Sequence, residues 1–222
     1  MDVSIFDVAG PVMVGPSSSH TAGAAKLGRI ALLIAGKPFL HVSFGLHGSF
    51  AKTFRGHGTD KALLAGVLGL REDDENIKNS FALAAERKLT FEFYETVLKN
   101  MHENSVKFTF YFTDGSICEV VGCSIGGGQI EIRQIDGFDT FFTAQAPTLI
   151  ITQNDQKGVV SDISRVLLEN DINIAVMRLS RKSKGDVAFC TIETDSPIPP
   201  KAVKDIEAKG NILRVRAVNI DG

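Results

Sequence analysis

Four hydroxyls and an imidazole stand in a row at Ser17, Ser18, Ser19, His20 and Thr21, directly after Gly15-Pro16. At a helix start, unpaired backbone N–H groups attract carboxylates and phosphates, and nearby hydroxyls add donors. A plain helix cap needs one serine and no histidine. The remaining polar side chains therefore point to a site for a small anionic molecule, with His20 as a proton carrier. A second cluster, "LHGSFAKTFRGHGTDKA", runs from Leu46 to Ala62 and carries His47 and His57 among three glycines. Gly56 and Gly58 flank His57, so backbone can approach a ligand closely on both sides of its ring. Histidine titrates near neutral pH and is suited to proton transfer. A surface turn is the plainer alternative for any single Gly-His-Gly. Thr59 and Asp60 stand where the next helix begins, as caps or as groups facing a ligand. Third is "HEN", His102 to Asn104, a donor–acceptor pair just ahead of a strand. Fourth is "SIGGGQI", where Gly126 to Gly128 suggest a bulge or close packing within a sheet.

The elements that must position these residues are legible in outline. "VSIFDV" near the N-terminus reads as a strand. Ala24, Leu27, Ile30, Ala31 and Ile34 recur at helical spacing, and Gly36 and Pro38 end that helix. "FLHVSFGL" reads as a buried strand, "HGSF" as a Gly-rich turn, and "DKALLAGVLGL" and "NIKNSFALAAERK" as helices. "REDDEN" is a solvated connection. "FEFYET" alternates like a strand, and "VKFTFYFTDGSICEVVGCSIGGGQIEIRQI" predicts two or three strands, the first pair joined at Asp114-Gly115. After about residue 146 the pattern becomes strand, helix, strand, strand, helix, strand. The helix "KGVVSDISRVLLEND" carries Val159, Ile163, Val166 and Leu167 on one face. The expected architecture is α+β. It comprises a mixed α/β, sandwich-like domain over residues 1–145 and a ferredoxin-like βαββαβ module over 146–222.

Composition narrows the function classes. A formal charge of −2 lacks the basic face that polyanion binding needs, which argues against nucleic acid. No run of about 18 apolar residues suggests a membrane span. The acidic "MDVSIFDVAG" lacks the features of a signal peptide. Three cysteines, an odd number in a chain this long, fit a reducing interior better than a disulfide framework. A cytoplasmic location is expected.

The C-terminal module resembles the ACT domain, on its element order, on "NDQKGVVSDIS" at the first strand–helix junction and on "NDINIAVMRLSR" before the second strand. ACT modules pair and bind amino acids near the loop that corresponds here to Asn154, Asp155 and Gly158; the alternative is a module that only joins subunits. "GPSSSHTAGA", "HGSFAKTFRGHGTDKA", "HEN" and "SIGGGQI", in that order ahead of an ACT-like module, resemble the β chain of the iron–sulfur-dependent L-serine dehydratases. The family usually has proline or another small residue where Glu103 stands.

That resemblance implies deamination of L-serine to pyruvate and ammonia without pyridoxal phosphate, using a [4Fe–4S] cluster as Lewis acid. The cluster ligands would lie on a separate α chain, because Cys118, Cys123 and Cys190 lack cluster spacing and read as core residues. It implies His57 as the base at the α-carbon and His102 as a second proton-transfer group. Asn104 would bind substrate. His20 and the hydroxyls of Ser17, Ser18, Ser19 and Thr21 would face the carboxylate or the cluster, with Thr59 and Asp60 beside them. Homodimerisation through both domains is expected. An alternative carried with it is a regulatory, small-anion-binding subunit, since a related domain stands beside an ACT domain in some phosphoglycerate dehydrogenases.

Overall fold

The computed structural model describes residues 17–220. The strand expected at "VSIFDV", and Gly15-Pro16, lie outside the described residues. The chain forms two compact units, residues 1–136 and 137–222, in an α+β arrangement with two sheets.

In the first unit a π-helical turn, Ser18–Ala22, leads directly into α1, Gly23–Ala35. Gly36 closes α1 with φ 70°, and its N–H donates to the Leu32 carbonyl, a left-handed stop that suits glycine. Strand β1 is His41–Leu46. A short helix, α2, Gly48–Thr53, follows where the sequence suggested only a turn. Then come α3, Thr59–Val67, a 3-10 turn, Glu75–Asn79, α4, Ser80–Glu86, and β2, Thr90–Glu95. Because helices separate them, β1 and β2 can pair in parallel. The remaining strands are β3, Ser105–Tyr111, β4, Ile117–Gly126, and β5, Gln129–Ile135. They extend the sheet antiparallel in the order β2-β1-β3-β4-β5.

Ala24, Leu27, Ile30, Ala31 and Ile34 are fully buried, as their spacing predicts. Leu27 packs where Gly122 of β4 leaves room: a Cβ at Gly122 would stand 2.8 Å from the Leu27 Cδ2. Helix α1 also crosses α3 at backbone contact. Phe44, Phe108 and Phe110 fill the sheet's core, with Phe93 stacked on Phe44 at 4.5 Å.

The triple glycine differs from its expectation in one respect. Gly126, Gly127 and Gly128 all have positive φ (98°, 59° and 74°) and form the tip of the β4–β5 hairpin. The register does shift between Ser124 and Gly126, so a bulge is present. Close packing is not: a Cβ on Gly126 or Gly127 would meet nothing within 4 Å. Backbone conformation, rather than crowding, explains the glycines there.

The second unit begins with β6, Phe138–Phe142, a strand the sequence pattern did not reveal. The ferredoxin-like order follows as expected: β7, Thr148–Asn154; α5, Val159–Glu169; β8, Ile174–Arg181; β9, Val187–Thr194; α6, Pro200–Glu207; and β10, Ile212–Val218. The sheet runs β10-β7-β9-β8, all antiparallel. Val159, Ile163, Val166 and Leu167 of α5 and Ala202 and Ile206 of α6 share one core with Leu149, Ile151, Cys190 and Ile192. Among the described residues no helix is long and apolar enough to cross a membrane.

Candidate active site

Residues far apart in sequence meet at the start of α1. Ser17 is the N-cap, with φ −146°, and its Oγ accepts from the His20 N–H at 3.1 Å. The Thr21 N–H donates to the Ser17 carbonyl. These bonds hold the His20 ring over the segment from Gly48 to Gly58. Its Nδ1 lies 3.0 Å from Ser19 Oγ and its Nε2 3.3 Å from Ser49 Oγ. Phe50, fully buried, meets the ring edge-on at 5.3 Å. On another side stands His57, with ring centroids 4.9 Å apart and planes at 75°.

His57 is exposed at its ring and fixed at its backbone. Its N–H donates to the Thr53 carbonyl at 3.1 Å. Its carbonyl accepts from the Thr21 hydroxyl at 3.4 Å. Gly58, at φ 68°, then turns the chain into α3. The cap of α3 is therefore Gly58 and not Thr59 or Asp60. Thr59 is wholly buried, with no partner for its hydroxyl among the described residues. Asp60 accepts from the Lys61 N–H at 2.8 Å and is nearly buried.

The "HEN" loop adjoins the same region through backbone. Gly48, at φ 58°, lies so close to Glu103 that a Cβ would stand 2.6 Å from the Glu103 carbonyl oxygen. The Phe50 N–H donates to that oxygen at 3.4 Å. The Asn104 carbonyl accepts from the Ser124 N–H at 3.0 Å, and Ser124 in turn packs on Gly23 at the head of α1. Thus each of the four motif segments touches the next, and the last returns to the first. The His102 ring is exposed, and the Asn104 N–H donates to its Nδ1 at 3.1 Å. A neutral His102 therefore carries its proton on Nε2. No ring contact joins His102 to His20 or His57 among the described residues. His47 likewise accepts at Nδ1, from the Leu98 N–H at 3.3 Å; it caps α2 and supports the loop.

Electrostatics separate the two paired rings. Burial, and then the neighbouring His57, push the His20 imidazole below its ordinary value, so it is neutral at physiological pH. Burial raises the Asp60 carboxyl. Inward hydrogen bonds already occupy much of the serine run. Ser17 and Ser19 serve His20, and the buried Thr21 serves His57. Ser18 is half-buried and makes no side-chain hydrogen bond to another described residue.

The three cysteines do not suit a cluster. All are buried. Burial pushes the Cys123 thiol to about 11 and the Cys190 thiol to about 12, whereas iron ligation needs thiolates grouped together. Cys118 and Cys123 lie on β4, and Cys190 sits in the core of the second unit.

A serine dehydratase β-chain family model matches residues 4–134, and an ACT-domain model matches residues 148–211. The chain belongs to the L-serine dehydratase β-chain family. It is 43% identical over 198 residues to the L-serine dehydratase β chain of Peptoniphilus asaccharolyticus, covering 89% of each chain. It is 37% identical over 215 residues to the probable L-serine dehydratase β chain of Bacillus subtilis (strain 168), covering 97% of each. Similarity extends to the D-3-phosphoglycerate dehydrogenase of B. subtilis at 30% identity, over 89% of this chain but 37% of that one.

In the ACT module of this family member, the Asn154–Gly158 loop is braced from within. Asp155 Oδ2 accepts from the Gly185 N–H at 2.9 Å and from Arg181 at 2.7 Å. These contacts, the backbone N–H first, hold its carboxyl below the usual range. Gly158, at φ 92°, caps α5.

Ser49 was missed from sequence. Its hydroxyl meets His20 across 29 positions, and no local pattern distinguishes it from a turn serine.

Proposed function

We propose that the chain is the β subunit of an L-serine dehydratase, forming pyruvate and ammonia together with a separate α chain. The observation that carries this reading is the meeting of the His20 and His57 rings, 37 positions apart, at the start of a helix. The thiol environment is the reason for assigning the [4Fe–4S] cluster to the α chain.

Within this chain, the exposed His57 ring is the base that takes the α-proton. That proton is weakly acidic, so the base must be held against the α-carbon. The Thr53 and Thr21 bonds to the His57 backbone provide that support. Neutral His20, with both ring nitrogens already engaged, acts as a buttress to His57 instead of a direct carboxylate ligand. The donors offered to the carboxylate are the Ser18 hydroxyl and the Ser18 and Ser19 N–H groups, since Ser17 takes those of His20 and Thr21. His102, with its Nε2 proton outward, is the second proton carrier, and Asn104 binds substrate. Loss of the β-hydroxyl yields aminoacrylate, which tautomerises to an imine and hydrolyses to the products. Self-association through both units and a cytoplasmic setting complete the reading.

The similarity to a D-3-phosphoglycerate dehydrogenase supports a second reading, in which the chain is a regulatory subunit that binds a small anion or amino acid without doing chemistry. The two separate in one assay. The purified chain and an α chain, mixed anaerobically, are expected to release pyruvate from L-serine only in combination. Tight serine binding by this chain alone, with no pyruvate from any combination, would establish the regulatory reading.

A further inference from the structure

We propose that Ser49 is a positioning residue that holds the His20 ring against His57. The inference rests on the reading of His57 as the proton-transfer group, but its geometry stands apart from that reading.

The His20 ring is held at two opposite atoms. Ser19 Oγ meets Nδ1 at 3.0 Å and Ser49 Oγ meets Nε2 at 3.3 Å. Ser19 is the preceding residue and moves with the turn that carries His20. Ser49 belongs to a different element and is the polar anchor from outside that turn. The placement of Ser49 is set by its neighbours. Gly48 alone can take φ 58° against the Glu103 carbonyl, and Phe50, one position on, is fully buried against the ring's edge. The Ser49 carbonyl accepts from the Thr53 hydroxyl at 2.8 Å, and the Thr53 carbonyl accepts from the His57 N–H. One short helix thus fixes both the ring of His20 and the backbone of His57.

A neutral imidazole presents one donor and one acceptor nitrogen, and a hydroxyl can serve either. A hydroxyl on each nitrogen therefore satisfies the ring in either tautomer and holds its orientation. Without the Ser49 hydroxyl, Nε2 has no partner in the half-buried site. The ring is then free to rotate away from His57 or to admit water.

The test uses the full chain labelled with nitrogen-15 in its imidazoles, without an α chain and without turnover. In the parent chain both His20 nitrogens are expected to report hydrogen bonding, with the ring titrating below its ordinary value. Ser49→Ala is expected to move the His20 nitrogens toward the pattern of a solvent-exposed histidine. Ser49→Thr, which keeps the hydroxyl, restores the parent pattern. In a reconstituted enzyme Ser49→Ala lowers kcat about tenfold, the loss expected for one hydrogen bond, with KM little changed. Histidine signals in Ser49→Ala that match the parent chain, in a protein of unchanged circular dichroism, would overturn the proposal. Because the spectra need no catalysis, that failure is distinct from failure of the dehydratase reading.

Discussion

Gly28 and Gly66 meet face to face where α1 crosses α3. A Cβ on Gly66 would stand 2.0 Å from the Ala25 carbonyl oxygen, and one on Gly28 would stand 2.4 Å from that of Leu63. Both obstacles are backbone, so neither can rotate aside. The contact sets the distance between the helix that follows His20 and the helix that follows His57. Helix propensity alone favours alanine over glycine by about 1 kcal/mol, but the clash reverses the sign. Gly66→Ala is expected to lower stability by about 1–3 kcal/mol, the usual cost of overpacking. Thermal or urea denaturation of the variant checks this, and an unchanged or raised midpoint would mean that the helices are further apart.

Asp60 yields a prediction with a definite direction in pH. Burial raises its carboxyl above the ordinary value of 3.8, so the folded chain keeps this proton over a range in which the unfolded chain has lost it. The group's contribution to stability falls as pH climbs through that range, and at neutral pH the buried carboxylate is destabilising. Asp60→Asn keeps an acceptor for the Lys61 N–H and removes the charge. The variant is expected to resist urea better than the parent at neutral pH, with the advantage fading as the pH falls toward 3.8 and gone below it. A variant less stable at neutral pH would show that the carboxylate has a favourable partner.

Much of this arrangement was legible before any coordinates. The βαββαβ order of the second unit follows from helical and alternating periodicity, because α5 and α6 each bury a single face. The α1 core residues follow from the same argument. What escaped notice depends on tertiary contact or on short, atypical segments. Strand β6, "FDTFF", has no clean alternation and directly follows a Gly turn. Helix α2 opens on glycine and is only six residues long, too short for periodicity to declare it. The "SSSHT" run announced a site, but its polarity did not reveal that Ser17, Ser19 and Thr21 hold histidines in place. Likewise, no local pattern marks Gly28 and Gly66 as the pair that makes the helix crossing possible.

The thiols allow a simple check on the cluster assignment. Cys118, Cys123 and Cys190 are buried, and the raised thiols of Cys123 and Cys190 keep them out of the reactive thiolate form. An aromatic disulfide reagent at neutral pH is expected to label none of the three quickly in the folded chain and all three after unfolding. Rapid labelling of the native chain would place a thiolate at the surface and reopen the question of metal ligation here.

The central claim is that His57 carries the proton step, and turnover measures it most directly. With the α chain reconstituted anaerobically, His57→Ala is expected to reduce pyruvate formation from L-serine by about 10²–10⁴-fold, the range for a general acid–base group, while still assembling with its partner. Near-parent turnover in that variant, with only a changed response to added amino acid, would contradict the account and make the site regulatory.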